Sequence, residues 1–255
     1  MRIDELRGLW KRSLLARPGE PDDVTTLVDW LQGPSLFADL RSPPDRPDFS
    51  TTRRLRDLDR AQIDWLATQE GFAGRLVAIG DAVEWRRVID YQPPSEQADA
   101  GRLSMQDDIL VEVGRDAPYL EHWRRDAARA LSPCFALRLL AVDDGRAGFV
   151  IRVGGDFMFA RDRLNPVAPG PSLAAHVAEA PDLVVAQNLV DCEISLGVID
   201  GSDWRIVHST MPFREGDRFE LQVYDDVSTA ETAERAPDGA GIRRRWSLVA
   251  KENWP

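Results

Sequence analysis

Short segments that alternate apolar and polar residues run through this chain from end to end, and many keep a Trp or Phe beside an Arg. Gly8-Leu9-Trp10-Lys11-Arg12, Val83-Glu84-Trp85-Arg86-Arg87, Glu121-His122-Trp123-Arg124-Arg125 and Trp204-Arg205-Ile206-Val207-His208 are examples. Side chains on a strand point alternately to its two faces, so this pattern buries one face of a sheet and wets the other. With little helix between the segments, it predicts an all-β fold: an antiparallel, closed or nearly closed β-barrel with one or two short capping helices.

At 255 residues the chain suits one β-barrel domain over 1–255; a split into two small barrels near 115–135 is the alternative. Eight Trp and nine Phe supply a core. A formal net charge of −11 argues against nucleic acid and against an anionic membrane as partners, since both select basic patches. The basic residues are almost all Arg, with Lys only at Lys11 and Lys251. Together with heavy Ala use, this is the codon bias of a GC-rich bacterial genome. Cys134 and Cys192 lie far apart in no metal-like spacing, so we expect free thiols, no metal and no cofactor. Met1 to Leu6 is charged and no apolar run follows it, and no stretch reaches the length of a membrane helix. The expectation is a soluble, cytoplasmic protein.

Strands are expected at 9–16, 24–31, 36–40, 72–79, 83–91, 102–105, 109–113, 119–125, 135–142, 148–161, 189–199, 204–211, 219–225 and 243–249. Gly80-Asp81 and Asp143-Asp144-Gly145 read as hairpin turns. Gly154-Gly155 reads as a bulge or bend inside a long strand. Leu55, Leu58, Ile63 and Leu66 suit a single amphipathic helix over one end of the barrel. Residues 172–180 suit a short helix capped by Ser172. Val227 to Gly241, rich in Ala, Thr, Glu and Gly, reads as an exposed loop.

Three stretches resemble a fungal family typified by a yeast protein that associates with a casein kinase and has a lipocalin-like fold. They are Thr25 to Trp30 running into Phe37 to Arg41, Tyr119 to Asp126, and Val150 to Gly154 followed by Phe159 to Arg161. Phe72-Ala73-Gly74 falls where the family has a comparable motif, and the resemblance covers about residues 9–161. It implies a lipocalin-like β-barrel and carries no catalytic residues. Nothing in the chain identifies a kinase-binding segment, so that association is not carried over.

There is no phosphate loop, nucleophile elbow, dinucleotide fingerprint or zinc helix motif. Alternation puts Trp204, Ile206 and His208 on one face, the more apolar one, and so predicts His208 inside the barrel. There it would bind a ligand's polar end or act as an acid or base; the bland reading is a satisfied core histidine. Glu193, across the preceding hairpin, is its candidate catalytic partner, or else a solvent-facing residue. Arg161, sharing a face with Phe157 and Phe159, would hold a carboxylate or phosphate, or close a barrel end over a Trp. Trp10 and Arg243 to Arg245 would meet in that second way if the first and last strands are neighbours. The candidate ligand-binding set is Trp85, Trp123, Phe159, Arg161, Trp204 and His208.

The function expected from these features is a non-catalytic lipocalin-like barrel that binds a small apolar molecule or a protein partner. Two alternatives stay open. One is a lumen isomerase, cyclase or lyase acting on a small hydrophobic substrate through His208 and Glu193, and the other is an interaction scaffold with no pocket. The content of the lumen discriminates among them.

Overall fold

The computed structural model describes residues 1–224 and 228–255. The first eight strands are β1 (Gly8–Ala16), β2 (Leu27–Gln32), β3 (Leu36–Ser42), β4 (Glu70–Ile79), β5 (Ala82–Asp90), β6 (Ala100–Gln106), β7 (Ile109–Gly114) and β8 (Leu120–Arg125). Each pairs antiparallel with the next, and β8 returns to β1, closing a barrel. The second eight are β9 (Cys134–Ala141), β10 (Ala147–Val153), β11 (Asp156–Arg161), β12 (Glu193–Asp200), β13 (Asp203–Ser209), β14 (Leu221–Val223), β15 (Thr229–Arg235) and β16 (Gly241–Glu252). They form one sheet in the order β13-β12-β11-β10-β9-β16-β15-β14, a half-barrel. Backbone bonds from Ile206 N–H to Asp217 and from Phe219 N–H to Trp204 narrow its open side.

Strands hold 48 % of the residues and helices 12 %. That helix share is far below the roughly one third usual in globular proteins, and the barrel reading stands. Among the described residues no helix is long and apolar enough to cross a membrane.

Three apolar layers organise the molecule. Trp10, Trp30, Phe37, Phe72, Trp85 and Trp123 fill the closed barrel. Phe135, Leu137, Phe157, Phe159, Phe219 and Trp246 line the concave face of the second sheet. Between the two, Leu31, Ala38 and Leu40 on the outside of the barrel pack with Ile151, Met158, Ala160 and Ile194 on the back of the other sheet. A strand in this join is buried on both faces. In β3 only Arg41 is less than fully buried, and β11 is buried throughout.

Helices α1 (Arg60–Leu66), α2 (Leu173–Ala178) and α3 (Leu183–Leu189) pack onto this shared layer through Ile63, Leu66, Leu173, Val177 and Ala186. Each begins at a side-chain cap: Asp59, Ser172 and Asp182. The single helix expected from Leu55 to Leu66 is broken into a 3-10 turn, Leu55–Asp57, and α1. Asp59 forms a capping box with Gln62, and that box holds Asp59 in extended backbone and restarts the helix.

Three further expectations are corrected. Gly154-Gly155 is a hairpin turn between two strands, not a bulge in one. Gly154 has φ +60, and a Cβ there would lie 1.9 Å from the Ala130 carbonyl oxygen, so only glycine fits. The segment read as a loop over 227–241 contains β15, whose Ala230, Thr232 and Glu234 are buried. Its inward polar groups are paired: Trp246 Nε1 donates to Thr232 at 2.8 Å, and Arg244 donates to Glu234 at 2.9 Å. The terminal residues of two expectations, Asp225 and Val227, lie outside the described residues. Trp10 does not meet Arg243 to Arg245, because β16 pairs with β9 and β15 and not with β1. Arg125 of β8 takes that place, 4.7 Å over the Trp10 ring.

Candidate functional site

The pairing of aromatic and charged residues along the strands builds two stacked layers inside the closed barrel. On six of the eight strands an inward apolar residue is followed, two positions nearer one mouth, by an inward charge: Trp10 and Arg12, Phe37 and Asp39, Phe72 and Glu70, Trp85 and Arg87, Leu110 and Glu112, Trp123 and Glu121. Period two forces this stacking. The far end of the barrel is plugged by Leu6, fully buried in a 3-10 turn, whose carbonyl accepts from Trp10 Nε1.

The open mouth holds a cavity of about 230 Å³ lined by Trp30, Trp85, Trp123, Phe72, Tyr119 and the charged layer. Trp30 sits edge-on to Trp85 and Trp123, with ring centroids 5.6 and 5.5 Å apart. Its indole N–H is buried and, among the described residues, has no hydrogen-bond partner. A larger open groove of about 570 Å³ adjoins the cavity and shares Trp85, Arg87, Asp99 and Tyr119 with it. The ladder between β5 and β6 is short here, with Val83–Gly101 and Glu84–Ala100 paired and the Trp85 N–H donating to the Asp99 carbonyl at 2.9 Å.

The charged layer is nearly self-compensating. Arg41 donates to Asp39 at 2.7 Å, Arg12 to Glu121 at 2.8 Å, and Arg87 to Asp90 and Asp99 at 2.8 and 2.7 Å. Arg87 also stacks 3.6 Å above Phe72. Glu112 differs: it accepts from the Tyr119 hydroxyl at 2.7 Å and from Trp123 Nε1 at 3.1 Å, both neutral donors. Burial, reinforced by Glu121, pushes the Glu112 carboxyl well above its usual range. Burial also raises the Tyr119 phenol, with Glu112 adding to the shift, so Tyr119 stays a donor. Asp39 is pushed by burial up to about 6, with Arg41 opposing.

The Asp39 shift has a stability consequence. Between its ordinary value of 3.8 and about 6 the folded chain holds a proton that the unfolded chain has lost. Its contribution to stability therefore falls as pH rises through that window. Urea unfolding from pH 4 to 6.5 is expected to show this decline in the wild type, and Asp39→Asn is expected to flatten it. An unchanged slope in the variant would remove Asp39 as the cause.

The sequence candidates are divided by the fold. Trp85 and Trp123 both line the mouth cavity, on either side of contacts with Trp30. Phe159 and Arg161 lie in the second sheet. Phe159 is buried against Phe219, while Arg161 donates to Asp191 at 2.8 Å and lines a different cavity of about 310 Å³. Trp204 lies 5.0 Å from Phe157 and lines a shallow cleft with Phe219 and Trp254.

His208 does not face a lumen. The register of β12 against β13 slips between Leu196 and Gly197, leaving Val207 as an extra residue that reverses the alternation beyond it. His208 is thereby turned toward the closed barrel, with Nε2 2.9 Å from Ser42 Oγ and Nδ1 3.8 Å from Asp29. Glu193 is buried on the concave face and is held by Arg214 and Ser195, both at 3.0 Å. The two do not pair, because the slip sends them to opposite faces.

Trp30, Asp39, Glu112 and Tyr119 were not singled out by sequence reading. The usable signal was parity: Glu112 shares the inward face of Leu110, and Asp39 that of Phe37.

A solved structure of an uncharacterized protein, YLR301w, from Saccharomyces cerevisiae is similar over 96 % of this chain and 98 % of that one, with TM-score 0.54 and 13 % identity. A Nostoc punctiforme protein of unknown function from the DUF3598 family matches over 98 % and 97 %; its identity is 8 % and its TM-score of 0.25 is too low to carry an argument. No family description matches the chain, and no curated protein does. At 13 % identity the likeness to the yeast protein extends to the fold alone. The barrel implied by the family resemblance is present; neither a lipocalin-like name nor a kinase association comes with it.

Proposed function

We propose that this protein is a non-catalytic barrel that binds one small ligand in the open mouth of β1–β8. The observation that carries the reading is the Trp30 indole N–H, buried on a residue that lines the cavity and without a partner among the described residues. A buried unpaired donor costs roughly 1–3 kcal/mol, and a ligand's acceptor atom would remove that cost. At about 230 Å³ the cavity suits a compact metabolite rather than a drug-sized molecule, for which about 300 Å³ or more is usual.

Trp30→Phe keeps most of the ring and removes the donor. It is expected to leave thermal stability equal or higher and to weaken ligands that accept the bond by about tenfold. A thermal-shift screen of small molecules, repeated on the variant, checks this. Hits that stabilise both proteins alike would place binding elsewhere.

A second reading, a lumen isomerase, cyclase or lyase, rests on Asp39, whose value of about 6 suits a general base near neutral pH. Under that reading Asp39→Asn abolishes turnover and spares binding.

A further inference from the structure

Glu112 stands apart from the other carboxylates of the mouth. Asp39, Glu121 and Asp99 each have an arginine within 2.8 Å. Among the described residues no cation lies within ion-pair distance of Glu112, which is 3 % exposed. The groups that face it are Tyr119 from the turn before β8, Trp123 and Glu121 from β8, Asp99 from the segment before β6, and Arg41 from β3. Arg41 is already engaged by Asp39 and lies near Glu121 at 3.8 Å.

The position is built rather than incidental. Gly101, beside Glu112 on β6, leaves the room its side chain occupies, since a Cβ there would come within 2.9 Å of Glu112 Cγ. Gly114 does the same for Tyr119, whose ring would lie 2.5 Å from an added Cβ. These two glycines are cross-strand partners, so the clearance for the Glu112–Tyr119 pair is made at one point in the wall.

A buried carboxyl with only neutral donors is stable as the acid, or as the carboxylate if a cation arrives. Trp30, Trp85 and Trp123 line the cavity beside it, and indole rings attract cations through the ring quadrupole. Trp123 ties these features together: its N–H is on Glu112 and its ring is 5.5 Å from that of Trp30. Glu112 and Trp30 therefore line one cavity and are joined through Trp123. An anion has no such place, because the arginines of the mouth are already paired with carboxylates.

We infer that the ligand of the mouth cavity is a compact organic cation carrying an acceptor oxygen. Its ammonium lies against Glu112 and the tryptophan faces, and its hydroxyl or carbonyl oxygen accepts from Trp30. This rests on the lumen-binding reading above and adds the charge of the ligand to it. Binding draws the proton from Glu112, so uptake of a permanently charged cation releases a proton and strengthens with rising pH.

The test compares three molecules of one shape by tryptophan fluorescence and calorimetry on the full chain: choline, its neutral carbon isostere 3,3-dimethylbutan-1-ol, and the anion 3,3-dimethylbutanoate. Choline is expected to bind at least about tenfold more tightly than the alcohol and to gain affinity from pH 6 to 8. Proton release is expected in calorimetry in two buffers of different ionisation heat. Glu112→Gln, nearly isosteric, is expected to fold normally, to remove the pH dependence and the proton release, and to bring choline down to the level of the alcohol. If the alcohol or the anion binds as well as choline and Trp30→Phe weakens it, the charge inference falls and the lumen reading stands. If none of the three binds at millimolar concentration, both fall.

Discussion

Arg161→Met is expected to lower folding stability by about 3–5 kcal/mol, the usual cost of removing one partner from a buried ionic network. Arg161 is 3 % exposed and sits where β11 meets the concave core of the second sheet. It donates to Asp191 at 2.8 Å and to the Asp162 carbonyl at 3.0 Å, and its Nε lies 3.5 Å from Glu234. Methionine fills the volume and satisfies none of these. Arg244 still reaches Glu234 and Arg146 lies near Asp191, so the network is weakened rather than emptied. Arg161→Lys keeps the charge but not the fork, and is expected to recover only part of the loss. Urea unfolding measures both. A loss under about 1 kcal/mol for the methionine variant would mean that Arg161 is no more than a surface-like pair.

The strand architecture was legible because one face of most strands is wet. Alternation located the barrel strands and the Gly80-Asp81 turn directly. It failed where both faces are buried. Before and after Gly154-Gly155 the runs Phe149 to Ile151 and Phe157 to Ala160 are apolar on both sides, since one face meets the concave core and the other the join. In β15 the failure was opposite: the inward residues are Ala, Thr and Glu, and their burial is made tolerable by Trp246 and Arg244, 14 and 10 residues from their partners Thr232 and Glu234 and invisible to composition.

The site was legible only in half. Trp85 and Trp123 were visible as inward aromatics of alternating strands. Glu112 was hidden because a charged residue in an apolar strand reads as solvent-facing until the register fixes its parity. His208 shows how fragile parity is, since a single extra residue at Val207 sends it to the other face.

Cutting the chain after Asp126 is expected to leave a fragment that forms strands but does not stay monomeric. The outer faces of β2 and β3 present Leu31, Leu36, Ala38 and Leu40, all at most 1 % exposed in the whole chain. Without the second sheet these residues and Leu9 become one apolar patch, and patches beyond a few hundred Å² drive association. The connecting segment is itself packed. Arg129 pairs with Asp156, the Ala130 carbonyl fills the space left by Gly154, and Leu131 lies 3.3 Å from where a Gly8 Cβ would stand. The barrel and the second sheet are therefore expected to unfold together, as a single-domain reading requires, and calorimetry of the full chain is expected to give one transition with van't Hoff and calorimetric enthalpies in agreement. Two separated transitions, or a monomeric and fully folded fragment 1–126, would instead make the closed barrel an independent unit with its own ligand site. The join would then be an ordinary interface between two domains.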